Sequence, residues 1–68
     1  MGTIYGKLGV NIKKTRRKIG ISQEELAEKA KIDPKSIVQI EAGKRNPTLK
    51  TIRKIASSLK IKLGDLLD

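Results

Sequence analysis

Lys35, Ser36 and Gln39 are polar side chains at helical spacing within the segment PKSIVQIE. Their shared chemistry is hydrogen bonding to the edges of flat, polar partners. A lysine ammonium donates to guanine O6 and N7. A glutamine amide pairs bidentately with adenine N6 and N7, and a serine hydroxyl serves several bases or a phosphate. On the same helix Ile37, Ile40 and the stem of Glu41 point to a core, which predicts that Lys35, Ser36 and Gln39 face outward with Val38 at the border. Alone, three exposed polar residues mean only solvation, so their significance depends on the elements that hold them.

Those elements are legible from their ends. Ser22 is placed as an N-cap with Glu25 three residues on, a capping box, and Ile21 and Leu26 form a hydrophobic staple across it. Leu26, Ala27 and Ala30 face inward on the resulting helix. Glu24, Glu25, Glu28 and Lys29 make its solvated face, with Glu25 and Lys29 at a favourable spacing. Asp33 caps the next helix, Pro34 takes its first position, and Ile32 and Ile37 form a second staple. Only Lys31 and Ile32 separate the two helices, so they must cross steeply: a helix-turn-helix unit, whose second helix lies in the major groove of DNA.

Around that unit, Leu8, Ile12 and Ile19, with Thr15, define one stripe of a first helix from about Lys7 to Ile19. Lys13, Lys14, Arg17 and Lys18 face away, and Gly20 ends it. Residues 1–6, MGTIYG, read as a loose arm and residues 7–68 as the domain. Gly43 ends the third helix, and Lys44 to Pro47 form a loop. Thr48 caps a fourth helix with apolar positions Leu49, Ile52, Ile55, Ala56 and Leu59. A short fifth, holding Leu63, Leu66 and Leu67, is the weakest element, because Lys62 is a poor cap and Gly64 falls in its first turn.

Composition narrows the function. Sixty-eight residues make one domain with a small core, and with neither Cys nor His that core must close with aliphatic side chains. The seven acidic residues are scattered, so no metal or cofactor site is expected. Gly2, Gly6 and Gly9 have the wrong spacing for a dinucleotide loop, and the chain is not expected to be an enzyme. A net charge of +9 favours a polyanionic partner. No apolar run approaches the ~20 residues of a membrane span, and the start lacks a signal-peptide pattern. A cytoplasmic chain with no membrane association is expected.

The segments IKKTRRKIGISQEELAEKA, SIVQIEAGKRNPTL and IRKIASSLKIKLGDLL, in that order and spacing, resemble the Cro/repressor, or Xre, class of helix-turn-helix domains across roughly Leu8 to Leu67. The resemblance implies an all-α, lambda-repressor-like bundle of five short helices. It implies an ion pair between Arg16 and Glu41, consistent with Glu41 falling near the core stripe, where a lone carboxylate is costly. It also implies that Gln23 touches a DNA phosphate, with Ser22 a weaker candidate at the same helix start. Arg16 is expected to reach a phosphate while paired, and the loop supplies Lys44, Arg45 and Asn46 as further phosphate contacts. Two positions depart from the family. Lys31 stands where the turn usually has Gly, at roughly 1–2 kcal/mol for a left-handed side-chain-bearing residue. Pro34 stands where members often carry a base-contacting polar residue, so base reading shifts to Lys35, Ser36 and Gln39.

These readings converge on sequence-specific double-stranded DNA binding, as a repressor or autoregulator of phage-repressor, antitoxin or restriction–modification controller type. Dimers are expected on DNA at a palindromic operator, with half-sites about 34 Å apart and no small-molecule ligand. The competing reading is a helical protein-interaction module that keeps the fold without specific DNA binding. Affinity for random duplex DNA that ignores salt would favour it.

Overall fold

Ser22, Asp33 and Thr48 each start a helix by accepting a backbone N–H: that of Glu25 at 3.0 Å, Lys35 at 2.9 Å and Thr51 at 3.2 Å. The computed structural model describes residues 4–67, with side chains from residue 6 onward. The elements are α1 (Ile4–Ile19), α2 (Gln23–Ala30), α3 (Pro34–Glu41), α4 (Leu49–Ser58) and α5 (Leu63–Leu67). No strand occurs among the described residues, and the all-α five-helix bundle is the one expected. At Ser22 the capping box is complete, since its own N–H donates to Glu25 Oε1 at 2.9 Å.

Helix ends follow one device. At the ends of α1 to α4 the residues Gly20, Lys31, Gly43 and Lys60 take positive φ, at 88°, 56°, 73° and 58°. In each case the following residue donates back to a carbonyl near the helix end: Ile21 to Arg16, Ile32 to Ala27, Lys44 to Gln39 and Ile61 to Ala56. This is the Schellman arrangement, and it satisfies carbonyls that a helix end leaves without partners. Two of the four left-handed positions therefore carry a lysine. The turn at Lys31 has the conformation that the family resemblance implies; the equivalent one at Lys60 was not foreseen.

The core is aliphatic, with Leu8, Ile12, Leu26, Ile37, Ile40, Ile55 and Leu66 as its largest fully buried side chains. Ile21 and Ile32, the residues before the two caps, pack against it. α3 packs on α1 and α2, α4 on α2 and α5, and α5 on α1. Gly9 lies where α1 meets the end of α3; a Cβ there would approach the Ile40 carbonyl oxygen and come within 2.7 Å of the Glu41 carbonyl oxygen. α5 is held despite its poor start. Asp65 Oδ2 accepts the Lys62 N–H at 3.2 Å, Leu66 is buried, and Asn11 donates from α1 to the Leu66 carbonyl at 3.0 Å.

Three expectations need correction. α1 begins at Ile4, so residues 4–6, assigned to the arm, are helical; the remainder of the arm, residues 1–3, lies outside the described residues. Ile19, assigned to the core stripe, is half exposed. It sits in the last turn of α1, where the chain reverses at Gly20, and Ile21 enters the core instead. Leu49, assigned to the α4 core face, is 53% exposed because the buried stripe of that helix starts at Ile52.

Candidate nucleic-acid interface

α3 is braced from behind and open in front. Ile37 and Ile40 anchor its rear in the core, while Lys35, Val38 and Gln39 are exposed. Pro34 opens the helix without wasting an N–H, and the Asp33 carboxylate holds the Lys35 amide. The side chains at 35 and 39 are one helical turn apart on one face, so they can reach neighbouring positions along a groove.

Glu41 fixes the far end of α3. Arg16 donates to it twice, from Nε to Oε2 at 2.7 Å and from Nη2 to Oε1 at 3.1 Å. Gln23 Nε2 donates to Oε1 at 3.0 Å, and Arg16 Nη1 reaches the Ile21 carbonyl at 2.8 Å. One carboxylate thus ties α1, the start of α2 and α3 together. Both charges are buried, with Arg16 and Glu41 each 8% exposed. The hydrogen bond to Glu41 raises the Arg16 pKa above its ordinary value; burial opposes this and the Glu41 charge assists. A carboxylate in the last turn of a helix faces the negative end of the dipole, and the fork from Arg16 compensates it. No buried side-chain N or O atom among the described residues lacks a hydrogen-bond partner.

The sequence-derived site residues divide by what they touch. Lys35 and Gln39 face outward as expected. Ser36 does not: it is buried, and its hydroxyl accepts from Arg45 Nη1 at 2.7 Å. It lies one turn before Ile40, on the edge of the buried stripe, and that spacing was the available signal. Arg45, assigned to phosphates, folds back over α3, and its Nη1 also donates to Gln39 Oε1 at 3.4 Å. Lys44 and Asn46 are exposed in the loop beside it. Ser22 Oγ is engaged in its capping box, and the side chains of Gln23 and Arg16 are engaged with Glu41. Sequence reasoning missed two features: Gln23 as a partner of Glu41, and Arg45 as a side chain lying against the exposed face of α3. Both depend on the path of the chain between helices.

No group of three or more potential metal-ligating side chains occurs among the described residues, and no described helix is long and apolar enough to cross a membrane. The helix-turn-helix family model matches residues 12–66, and the chain belongs to that family. A relative from Archaeoglobus fulgidus, named an uncharacterized HTH-type transcriptional regulator, is 42% identical over 55 residues, covering 81% of this chain and 79% of the relative. A regulator of the same description from Methanothermobacter thermautotrophicus is 35% identical, with 71% and 70% covered. Among solved structures, the restriction-modification controller protein C.AhdI from Aeromonas hydrophila superposes with a TM-score of 0.89 at 34% identity, covering 91% of this chain and 94% of that one. C.Esp1396I bound to a 25 base pair operator site superposes with a TM-score of 0.84 at 34% identity, covering 91% and 82%.

Proposed function

We propose that the chain is a transcriptional regulator that binds double-stranded DNA sequence-specifically by inserting α3 into the major groove. The observation that carries this reading is the orientation of α3: its apolar and ionic rear is locked into the bundle, while Lys35, Val38 and Gln39 project from it. The likeness to a controller protein solved on its operator supports the same occupant. Lys35 and Gln39 read base edges, and the exposed Val38 methyls suit a thymine methyl. Arg45, on the same surface, takes the place first assigned to the inward-turned Ser36.

Lys44 and Asn46 hold phosphates on one side of the groove. Gln23 retains a second amide hydrogen for a phosphate on the other, beside the exposed Ser22. Arg16 acts through its bracing of Glu41. Two copies on a two-fold operator supply the affinity that one short helix lacks. The reading places the chain in the cytoplasm with the DNA, and assigns it no catalytic step.

The test is duplex binding across a salt series. Log affinity should fall linearly with log salt, by about 0.9 per phosphate neutralised, and Lys44→Ala should reduce that slope by about 1. Affinity indifferent to salt would overturn the reading.

A further inference from the structure

A second surface lies apart from α3. The last turn of α2 and the outer side of α4 flank an open surface groove of about 620 Å³. Its rim carries Lys29, Lys31, Lys50, Arg53 and Lys54, and no carboxylate lines it. Lys31, Lys50, Arg53 and Lys54 make no ion pair among the described residues; Lys29 interacts electrostatically with Glu25, one turn earlier on its own helix. Leu49 lines the same groove and is 53% exposed, the most exposed of the large apolar side chains described. Five cations surround an apolar contact point, and four of them have no ion-pair partner among the described residues.

The groove is separate from the reading face. The side of α4 that turns toward α3 carries Thr48 and Thr51, which line a different cleft together with Ser36 and Arg45. Lys50, Arg53 and Lys54 point to the α2 side instead. None of the residues lining the groove belongs to α3 or to the loop at 43–47.

We propose that this groove docks an acidic segment of a partner protein, an amphipathic stretch that sets an apolar side chain on Leu49 and aims carboxylates at the five cations. The charge complementarity is one-sided: an acidic partner satisfies the whole rim, and a basic or neutral one leaves it facing solvent. The apolar contact decides between polyanions. A phosphate backbone gains nothing from Leu49, whereas a Leu, Ile or Phe of a peptide buries it. The groove is open along its length, which suits side chains presented from one face of a helix, the manner in which amphipathic segments enter grooves. The consequence is a regulator able to hold DNA on α3 and a second protein on the α2–α4 face together.

The experiment uses the full chain, isotopically labelled, and a synthetic peptide rich in Asp and Glu with two Leu one helical turn apart. A companion peptide carries Ser in place of both Leu. The first peptide should shift backbone amide resonances around 29–31 and 49–57, leave those of 35–39 in place, and bind at least about tenfold more tightly than the second, the equivalent of partly burying one Leu. Leu49→Ser should remove that preference, and Arg53→Glu should weaken the first peptide further. Leu49→Ser, which leaves the net charge unchanged, keeps its affinity for duplex DNA. No measurable binding, equal affinity of the two peptides, or shifts spread over every basic face would each overturn the proposal. So would a random duplex that shifts 29–31 and 49–57 in preference to 35–39, which would assign the groove to nucleic acid.

Discussion

Replacing Gly9 with Ala isolates the contact that sets the position of α3 against α1. An Ala in a helix interior normally stabilises by about 1 kcal/mol relative to Gly. Here the added Cβ would meet the backbone of α3: the Ile40 carbonyl oxygen, the Glu41 carbonyl oxygen at 2.7 Å and the Glu41 carbonyl carbon at 2.9 Å. These atoms cannot rotate away as a side chain can. α1 must retreat, and it carries Arg16, whose bonds to Glu41 are 2.7 and 3.1 Å. Overpacking of a tight site costs about 1–3 kcal/mol, and distortion of the ion pair places this site in the upper part of that range. After subtracting the propensity gain, Gly9→Ala should destabilise by about 1–2 kcal/mol, a drop of roughly 4–16 °C in Tm for a domain of this size. Thermal unfolding followed by circular dichroism measures it. Gly64, where an added Cβ would meet nothing within 4 Å, is the control and should be neutral or gain stability as Ala. A Gly9→Ala variant that melts higher than the parent would refute the close-approach argument.

Further outcomes follow from the same geometry. Arg16→Ala should cost about 3–5 kcal/mol by stranding the buried Glu41 carboxylate, whereas Arg17→Ala, at an exposed position, should stay within about 0.5 kcal/mol; equal melting shifts would remove the pair from the account of stability. Lys31→Gly and Lys60→Gly should each stabilise by roughly 1 kcal/mol, because both positions are left-handed, and denaturant midpoints that fall in either variant would mean that the turn is built differently. The Glu25 carboxyl is held below its ordinary value by the Ser22 backbone N–H, then by the Ser22 hydroxyl, with Lys29 adding to the effect. Its stabilising contribution is therefore complete above the unfolded value of about 4.3 and disappears as pH falls through the lower folded value. Stability measured from neutral to acid pH should decline less steeply in Glu25→Gln than in the parent. Lys44→Ala should weaken all duplexes alike, and competition between specific and random DNA should show an unchanged ratio.

What the sequence revealed was whatever depends on a few adjacent residues. The Ser22–Glu25 box and the Asp33–Pro34 start are local geometries, whereas the left-handed turn at Lys31 was implied by the family resemblance. The Arg16–Glu41 pair followed from the family resemblance, and the cost of an unpaired carboxylate on a core stripe supported it. Positions at helix ends were harder. Ile19 and Leu49 lie on apolar stripes by count, yet each sits in a terminal turn where the neighbouring helix no longer covers it. The role of Gly9 was hidden because a glycine in a helix reads only as a weak helix former until a second backbone is brought against it. Ser36, expected on the exposed face, is buried, as its spacing to Ile40 could have signalled; its contact with Arg45 was hidden because the loop after α3 returns over the helix, a path that residue types at 43–47 do not specify. Gln23 was placed at the correct helix start but its link to Glu41, eighteen positions away in sequence, depends on how α2 crosses α3.

The central claim is that the exposed face of α3 reads base edges, and selection of bound sequences from a random duplex pool tests it most directly. The parent chain should enrich a two-fold symmetric sequence with half-sites about 34 Å apart. Gln39→Ala should lose preference at one base pair in each half-site, by about 1–3 kcal/mol, with the others retained. A pool with no enriched sequence, or an enriched sequence identical in Gln39→Ala and Lys35→Ala, would contradict it.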